Sequence, residues 1–284
     1  MRRRRLRDHP LRLNALFLHP AKAGLPGGRP FFAHPCVNAN CFAAPPARPS
    51  ARRVSLPTAL SNALRAGLRA ARANLVPGLL LQAAALAIVC AFYFSPSVNH
   101  ALDRLAQYRT ATGFRFSIVS TALCGGIIPF LYLRTFTPAG HRPSYGYGAA
   151  ITAFWGYKGF EVDLWYRFVG KVFGQDHHPL TVALKTVADQ FVYCPILAIP
   201  LTVLVYFWTE SGFSAGAVIT DLRQGQWYAR RVLTPLVSNL GIWLPAVMII
   251  YSLPPALQLP MQNIVLVFFT LILSHLMRRT SAAA

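Results

Sequence analysis

From residue 76 onward, long apolar stretches alternate with short polar joints. The stretches are 76–94 (VPGLLLQAAALAIVCAFYF), 116–133 (FSIVSTALCGGIIPFLYL), 145–160 (YGYGAAITAFWGYKGF), 186–208, 236–251 and 261–277. Each approaches the roughly 20 residues that a helix needs to cross a bilayer. The short stretch 145–160 continues as an amphipathic stretch to Phe173. The pattern predicts an all-α fold, a polytopic transmembrane helical bundle of four to six spans. The lower counts apply if 145–160 or the last proline-cut piece enters only halfway. The joint SLPPALQLP holds Pro254, Pro255 and Pro260, so 236–251 and 261–277 are expected to be separate helices. Within 186–208, Pro195 and Pro200 free the carbonyls of Phe191 and Ile196, which need new partners in lipid.

Composition agrees with this pattern. The 284 residues are 54% hydrophobic and only 13% charged, about half the charge density of a soluble domain. The first 75 residues are different in kind. They hold thirteen Arg and Lys22 against one acid, Asp8, and nine prolines from Pro10 to Pro57. Such a segment buries too little to offset its ordering entropy, so 1–75 reads as a basic, proline-rich, disordered leader. A transit peptide, a misassigned start and a cytoplasmic tail near anionic lipid all fit it. Its end, 61–74, carries Arg65, Arg69 and Arg72 at helical spacing and is expected to be an interfacial helix. The basic ends place both termini inside; Arg104, Arg109 and Arg115, in an expected loop, argue the other way.

Gly148, Thr152 and Gly156 recur every four residues, and Ala149 and Ala153 widen that small face. Lipid gives helices no hydrophobic reason to associate, so a smooth face of this kind is expected to pack against a neighbouring helix.

The acids carry the candidate chemistry. Four of the eight, Glu161, Asp163, Asp176 and Asp189, fall within 161–189 among Lys158, Arg167, Lys171 and Lys185. Lys158 and Glu161 are spaced i,i+3; Asp163 with Arg167 and Lys185 with Asp189 are spaced i,i+4, each pair on one helical face. A charge at the bilayer centre costs about 3 kcal/mol on insertion scales, so such residues pair or face a polar cavity. Two readings stand. In one, ion pairs lock the helices in register. In the other, Lys158, Glu161, Asp163, Arg167, Lys185, Asp189, Gln190 and Asn239 form a polar interior or pore. Its acids would set cation preference, and its bases would keep them charged and placed.

The stretch Lys185, Thr186, Asp189, Gln190, Phe191, Tyr193 and Pro195 (K-T-x-x-D-Q-F-x-Y-x-P) resembles a signature of the Mpv-seventeen family, which includes the twenty-two-kilodalton peroxisomal membrane protein. Upstream, that family carries Gly-Pro-x-x-His-x-Trp-Tyr. Here Gly159, Glu161, Asp163, Trp165, Tyr166 and Arg167 lie at a similar distance, with Trp-Tyr intact. Downstream, Pro235, Asn239, Trp243 and Pro245 form a looser counterpart of its Trp-Pro, Gln, Asn-Phe and Pro. The likeness covers about 145–277, with three departures: the Pro-x-x-His is missing, the Asn–Pro spacing differs by one, and the Pro-Pro-x-Leu-Gln-x-Pro turn is unusual. It implies a divergent relative of small multi-span proteins of peroxisomal, mitochondrial inner or similar membranes, proposed to be weakly selective channels for small solutes. A prokaryotic relative would lie in the inner membrane.

Other chemistry is sparse. Cys36, Cys41, Cys90, Cys124 and Cys194 form no C-x-x-C, and Asp176-His177-His178 is the one clustered His pair, lacking further ligands at metal spacing. Nucleotide loops, G-x-S-x-G and H-E-x-x-H are all missing. The expectation is a non-enzyme without cofactors. Its partners are the lipid bilayer and small solutes or ions, self-association is open, and no nucleic acid is involved. A structural membrane protein without transport is the alternative, and an enzyme built on His177 and His178 comes last.

Overall fold

The computed structural model describes residues 56–73, 75–137 and 142–282. Residues 1–55 of the expected 1–75 leader, with Cys36 and Cys41, lie outside the described residues. So does the side chain of His275, which the sequence places near the membrane surface. Among the described residues the fold is all-α, with no strand. The helices are α1 (Leu56–Ala73), α2 (Leu75–Phe94), α3 (Pro96–Thr112), α4 (Phe114–Thr121), α5 (Ile128–Phe136), α6 (Tyr145–Phe173), α7 (Pro179–Ala188), α8 (Ile199–Glu210), α9 (Ala215–Arg223), α10 (Leu233–Tyr251) and α11 (Pro255–Ala282).

Three wider, π-helical segments run continuously into these helices: Ala122–Ile127 joins α4 to α5, Asp189–Ala198 joins α7 to α8, and Tyr228–Val232 precedes α10. Each accompanies proline. A proline donates no N–H and its ring crowds the carbonyl four residues earlier. For Pro129, Pro195, Pro200 and Pro235 that earlier residue is Gly125, Phe191, Ile196 and Arg231, and all four lie inside π segments. The wider turn relieves the crowding without ending the helix. The kink expected at 186–208 is therefore a change of helical pitch, and the Pro195 carbonyl accepts from Tyr228 Oη at 2.9 Å.

Three continuous helices are long and apolar enough to cross a membrane: Phe114–Phe136, Pro179–Glu210 and Tyr228–Tyr251. A fourth is reached if Gly78–Phe94 and Pro96–Thr112, bent by 101°, count as one span. The expected 145–160 span is the first half of α6, a 29-residue helix that carries Lys158 near its middle and Glu161, Asp163, Arg167 and Lys171 in its second half. Two boundaries differ from expectation. Residues 96–112, read as a loop, form α3, because Pro96 can end α2 and open a helix at its first position. The expected last span begins at Pro255 rather than Met261; the break after α10 is only residues 252–254, and Pro260 sits inside α11.

The core is built from α2, α6, α10 and α11, through Leu81, Ala85, Val162, Val169, Ile242, Ala246, Ile250, Leu257 and Val265. Helix α1 forms over the stretch with Arg65, Arg69 and Arg72 at helical spacing, and it lies along α10. Thr234 Oγ1 donates to the Ala63 carbonyl at 3.2 Å, and a Cβ on Gly67 would meet Val237 at 2.6 Å. Arg65, Arg69 and Arg72 remain exposed.

The small face of α6 packs on α4–α5 as expected. A Cβ on Gly148 would meet Phe130, Thr152 lies against Gly126, and Gly156 touches Ile118 and Ala122. The tightest point is one turn further on. A Cβ on Gly159 would stand 2.1 Å from the Ser117 carbonyl oxygen. Beyond α8, Asp221 on α9 is held by Arg230 and Arg231 at 2.9–3.1 Å. Burial alone would raise its pKa, but the hydrogen bonds and charges of Arg231 and Arg230 outweigh that and hold it below the ordinary 3.8.

Gly159→Ala is expected to lower thermal stability by about 3 kcal/mol, the upper end for overpacking, because backbone rather than a flexible side chain must yield. Gly170→Ala, whose nearest neighbour is Gln175 Cγ at 3.8 Å, should melt like wild type. Melting of the detergent-solubilised protein followed by tryptophan fluorescence compares them. For Asp221 the depressed pKa means its ion pairs stabilise the fold above the unfolded value and are lost as pH falls through the folded one. Asp221→Asn should therefore melt below wild type at neutral pH, and the gap should close as pH drops below about 4.

Candidate functional site

Charged and polar side chains that a soluble protein would show to water are turned inward. Arg109, Ser117, Thr121, Lys158, Glu161, Asp163, Lys185, Asp189, Gln190, Asn239, Gln258 and Asn263 are all buried. Large apolar side chains such as Leu80, Phe94, Leu131, Phe168, Phe191 and Ile196 are exposed. The buried groups fall into two clusters.

The first surrounds a cavity of about 150 Å³ between α6, the Asp189–Ala198 segment, α10, α11 and the Ala122–Ile127 turn. Lys158, Asp189, Gln190 and Asn239 line it, with Tyr193, Cys194, Trp243 and Gln262. Lys158 and Glu161 form the expected ion pair, both side chains buried. Tyr193 Oη accepts from Lys158 Nζ at 3.1 Å and donates to Glu161 Oε1 at 2.6 Å. Its ring stacks on Trp165 at 4.9 Å, which fixes the hydroxyl. Glu161 thus stands one contact behind the cavity wall.

Asp189 is held differently from expectation. Lys185 and Asp189 do stand at α-helical spacing, the Asp189 amide donating to the Lys185 carbonyl, yet their side chains form no ion pair. The Asp189 carboxylate accepts from Trp165 Nε1 at 3.1 Å, Tyr251 Oη at 3.0 Å and Gln190 Nε2 at 2.8 Å. Cys194 Sγ, five residues on and therefore one π turn away, lies 3.8 Å from Asp189 Oδ1, and Asn239 Nδ2 lies 3.8 Å from the same sulfur. Aromatic and amide donors, not a cation, satisfy this carboxylate. Gln190 Oε1 is buried and accepts no hydrogen bond from any described residue. Buried acceptors in that state favour water or a donor-bearing solute. The cavity far exceeds the roughly 10–15 Å³ that one water requires.

The second cluster centres on Asp163, which is fully buried. It accepts from Arg109 Nη2 at 2.6 Å, Ser117 Oγ at 2.5 Å and Arg167 at 3.3 Å. Arg109 also donates to the Pro255 carbonyl, so one carboxylate ties α3, α4, α6 and α11. The Asp163–Arg167 pair is as expected, although Arg167 remains half-exposed over the Phe114 ring. Arg167 and Lys185 line a different pocket from the central cavity, so the eight candidates are not one interior. Asp176 and His178 form a capping turn: Asp176 Oδ1 accepts from the His178 amide at 2.9 Å, and His178 Nδ1 from the Leu180 amide at 3.3 Å. That amide bond is the leading reason the Asp176 pKa lies below its ordinary value.

Sequence reasoning passed over several members. Tyr193 and Trp165 entered only as motif letters. Arg109 was taken for a loop residue because α3 was not foreseen. Gln262 and Asn263 form an adjacent polar pair in an apolar run, the same signal that singled out Asp189 and Gln190. Gln262 accepts from Tyr166 Oη, while Asn263 joins Thr121 and Ser120.

Asp163→Asn should cost about 3–5 kcal/mol, because it strands the buried Arg109 without a counter-charge. Adding Arg109→Gln should recover part of the loss, and Arg167→Gln alone, at a half-exposed pair, should cost under about 1 kcal/mol. A double-mutant cycle on melting midpoints reads all three. Comparison of the chain with protein-family models, with curated proteins and with solved structures finds no match, so its role is argued from its own residues.

Proposed function

We propose that this chain is a multi-pass integral membrane protein whose polar interior gives small solutes or ions a weakly selective passage. The supporting observation is the inversion of the usual pattern, with apolar side chains outward and Lys158, Asp189, Gln190 and Asn239 converging on one cavity. Soluble proteins rarely expose apolar surface on this scale, and ionisable groups within spans commonly mark a pathway. In this reading α6, with its charged half inside the bundle, and α11 join the three apolar helices as spans, and a bilayer is the principal partner. Asp189 sets a cation preference, and the neighbouring Lys158–Glu161–Tyr193 triad keeps the adjoining wall polar and neutral.

We further infer that the chain is a divergent member of the Mpv-seventeen family, on the Lys185–Pro195 motif described above. That places it in a mitochondrial inner or peroxisomal membrane in a eukaryote, or the inner membrane in a prokaryote.

The competing reading is a purely structural membrane protein whose ion pairs only lock the bundle. Reconstituted wild type should pass small cations faster than anions of similar size. Asp189→Asn should lower that flux or its selectivity while helicity and melting stay at wild-type values. Wild-type liposomes with no conductance or solute flux at any potential or pH would end the passage reading. Loss of folding in Asp189→Asn, with no flux from folded wild type, would favour the structural one.

A further inference from the structure

A second pocket of about 540 Å³ opens where the C-terminal half of α6 meets α3, α7 and the start of α11. Four cations line it, Arg109, Arg167, Lys171 and Lys185, and among the described residues Asp163 is the only carboxylate bonded to any of them. The floor is buried and the rim exposed. Lys185 is 1% exposed yet forms no ion pair or hydrogen bond with any described residue; its ammonium lies 5.9 Å from the Tyr251 ring centre. Asp176, the nearest further carboxylate, is taken up by the His178 amide and Thr181 and stays outside ion-pair range. Arg109, also on the floor, has a buried Nε with no acceptor. Lys171 and Gln175 stand exposed at the rim.

A buried ammonium without a counter-charge is costly, and here it faces a cavity beside an unused guanidinium donor. We propose that this pocket binds a phosphate-bearing anion, with Lys185 and Arg109 Nε at its base and Lys171 and Arg167 closing over it. Guanidinium and ammonium groups together suit a multidentate oxyanion. The walls point to the source. Leu164 and Phe168, half-exposed on the outer face of α6, line the same pocket, so acyl chains could lie on them while the headgroup enters. Basic pockets between spans hold anionic lipid headgroups in this manner.

The test is thermal stability of the full-length protein in neutral detergent, titrated with phosphatidylglycerol, with phosphatidylcholine, and separately with inorganic phosphate. Phosphatidylglycerol should raise the melting temperature saturably and phosphatidylcholine should not. Lys185→Gln should weaken the apparent affinity about tenfold or more, the range for losing a charged hydrogen bond. Lys171→Gln, on the exposed rim and safe for folding, should weaken it in the same direction, whereas Arg223→Gln, outside the pocket, should not. Stabilisation by inorganic phosphate with the same variant dependence, and no further gain from lipid, would support the site with free phosphate as its ligand. Equal responses of wild type, Lys185→Gln and Lys171→Gln to both anions would overturn the proposal.

Discussion

Asp163 accepts hydrogen bonds from three helices while none of its own surface reaches solvent. A carboxylate withdrawn this far must be matched in charge and in lone pairs, or the fold that buries it is untenable. The match comes from Arg109, Ser117 and Arg167, on α3, α4 and α6, and Arg109 extends the connection to the Pro255 carbonyl at the head of α11. Ser117 can reach only because Gly159 lets α4 press against α6 until backbone touches backbone. The small face and the buried charge are one device: the glycine sets the distance, and the ion cluster makes that distance specific.

A different constraint shapes the cavity. Prolines within long apolar helices leave carbonyls without partners, and a bilayer supplies no water to replace them. The chain answers with wide turns. At Asp189–Ala198 the wider turn brings Asp189 and Cys194 to one side, next to Asn239 of α10. The Asp189 carboxylate is taken by Trp165, Tyr251 and Gln190, which leaves Lys185 without a carboxylate among the described residues. The central cavity and the basic pocket meet at Tyr166, which forms part of the wall of both.

The helices and their faces were largely legible in the sequence. The apolar runs gave Phe114–Phe136, Pro179–Glu210 and Tyr228–Tyr251 closely, since length and hydropathy alone define such elements. The four-residue spacing of Gly148, Thr152 and Gly156 gave the packing face of α6, and local pairs such as Lys158–Glu161 followed from helical geometry. What failed depended on contacts between distant parts of the chain. Lys185 and Asp189 are four residues apart on α-helical backbone, but the Asp189 carboxylate is taken by Trp165 and Tyr251 from other helices and by Gln190. Arg109 was missed because its partner is 54 residues away and no periodicity reports such a contact. The division of the eight polar candidates between two sites was equally invisible, because it is fixed by how α6 sits between α4, α7 and α11.

The wide turn at Asp189–Ala198 also bears on how the chain can change in length. A π turn holds one residue more than an α turn over nearly the same path. Deleting a single residue there, at exposed Val192 for example, would let the segment relax to α geometry while both flanking helices kept their faces. The rings of Pro195 and Pro200 would again crowd the carbonyls one turn earlier, and Asp189 and Cys194 would no longer share a side. The extra residue of this turn thus serves the prolines and the polar interior together.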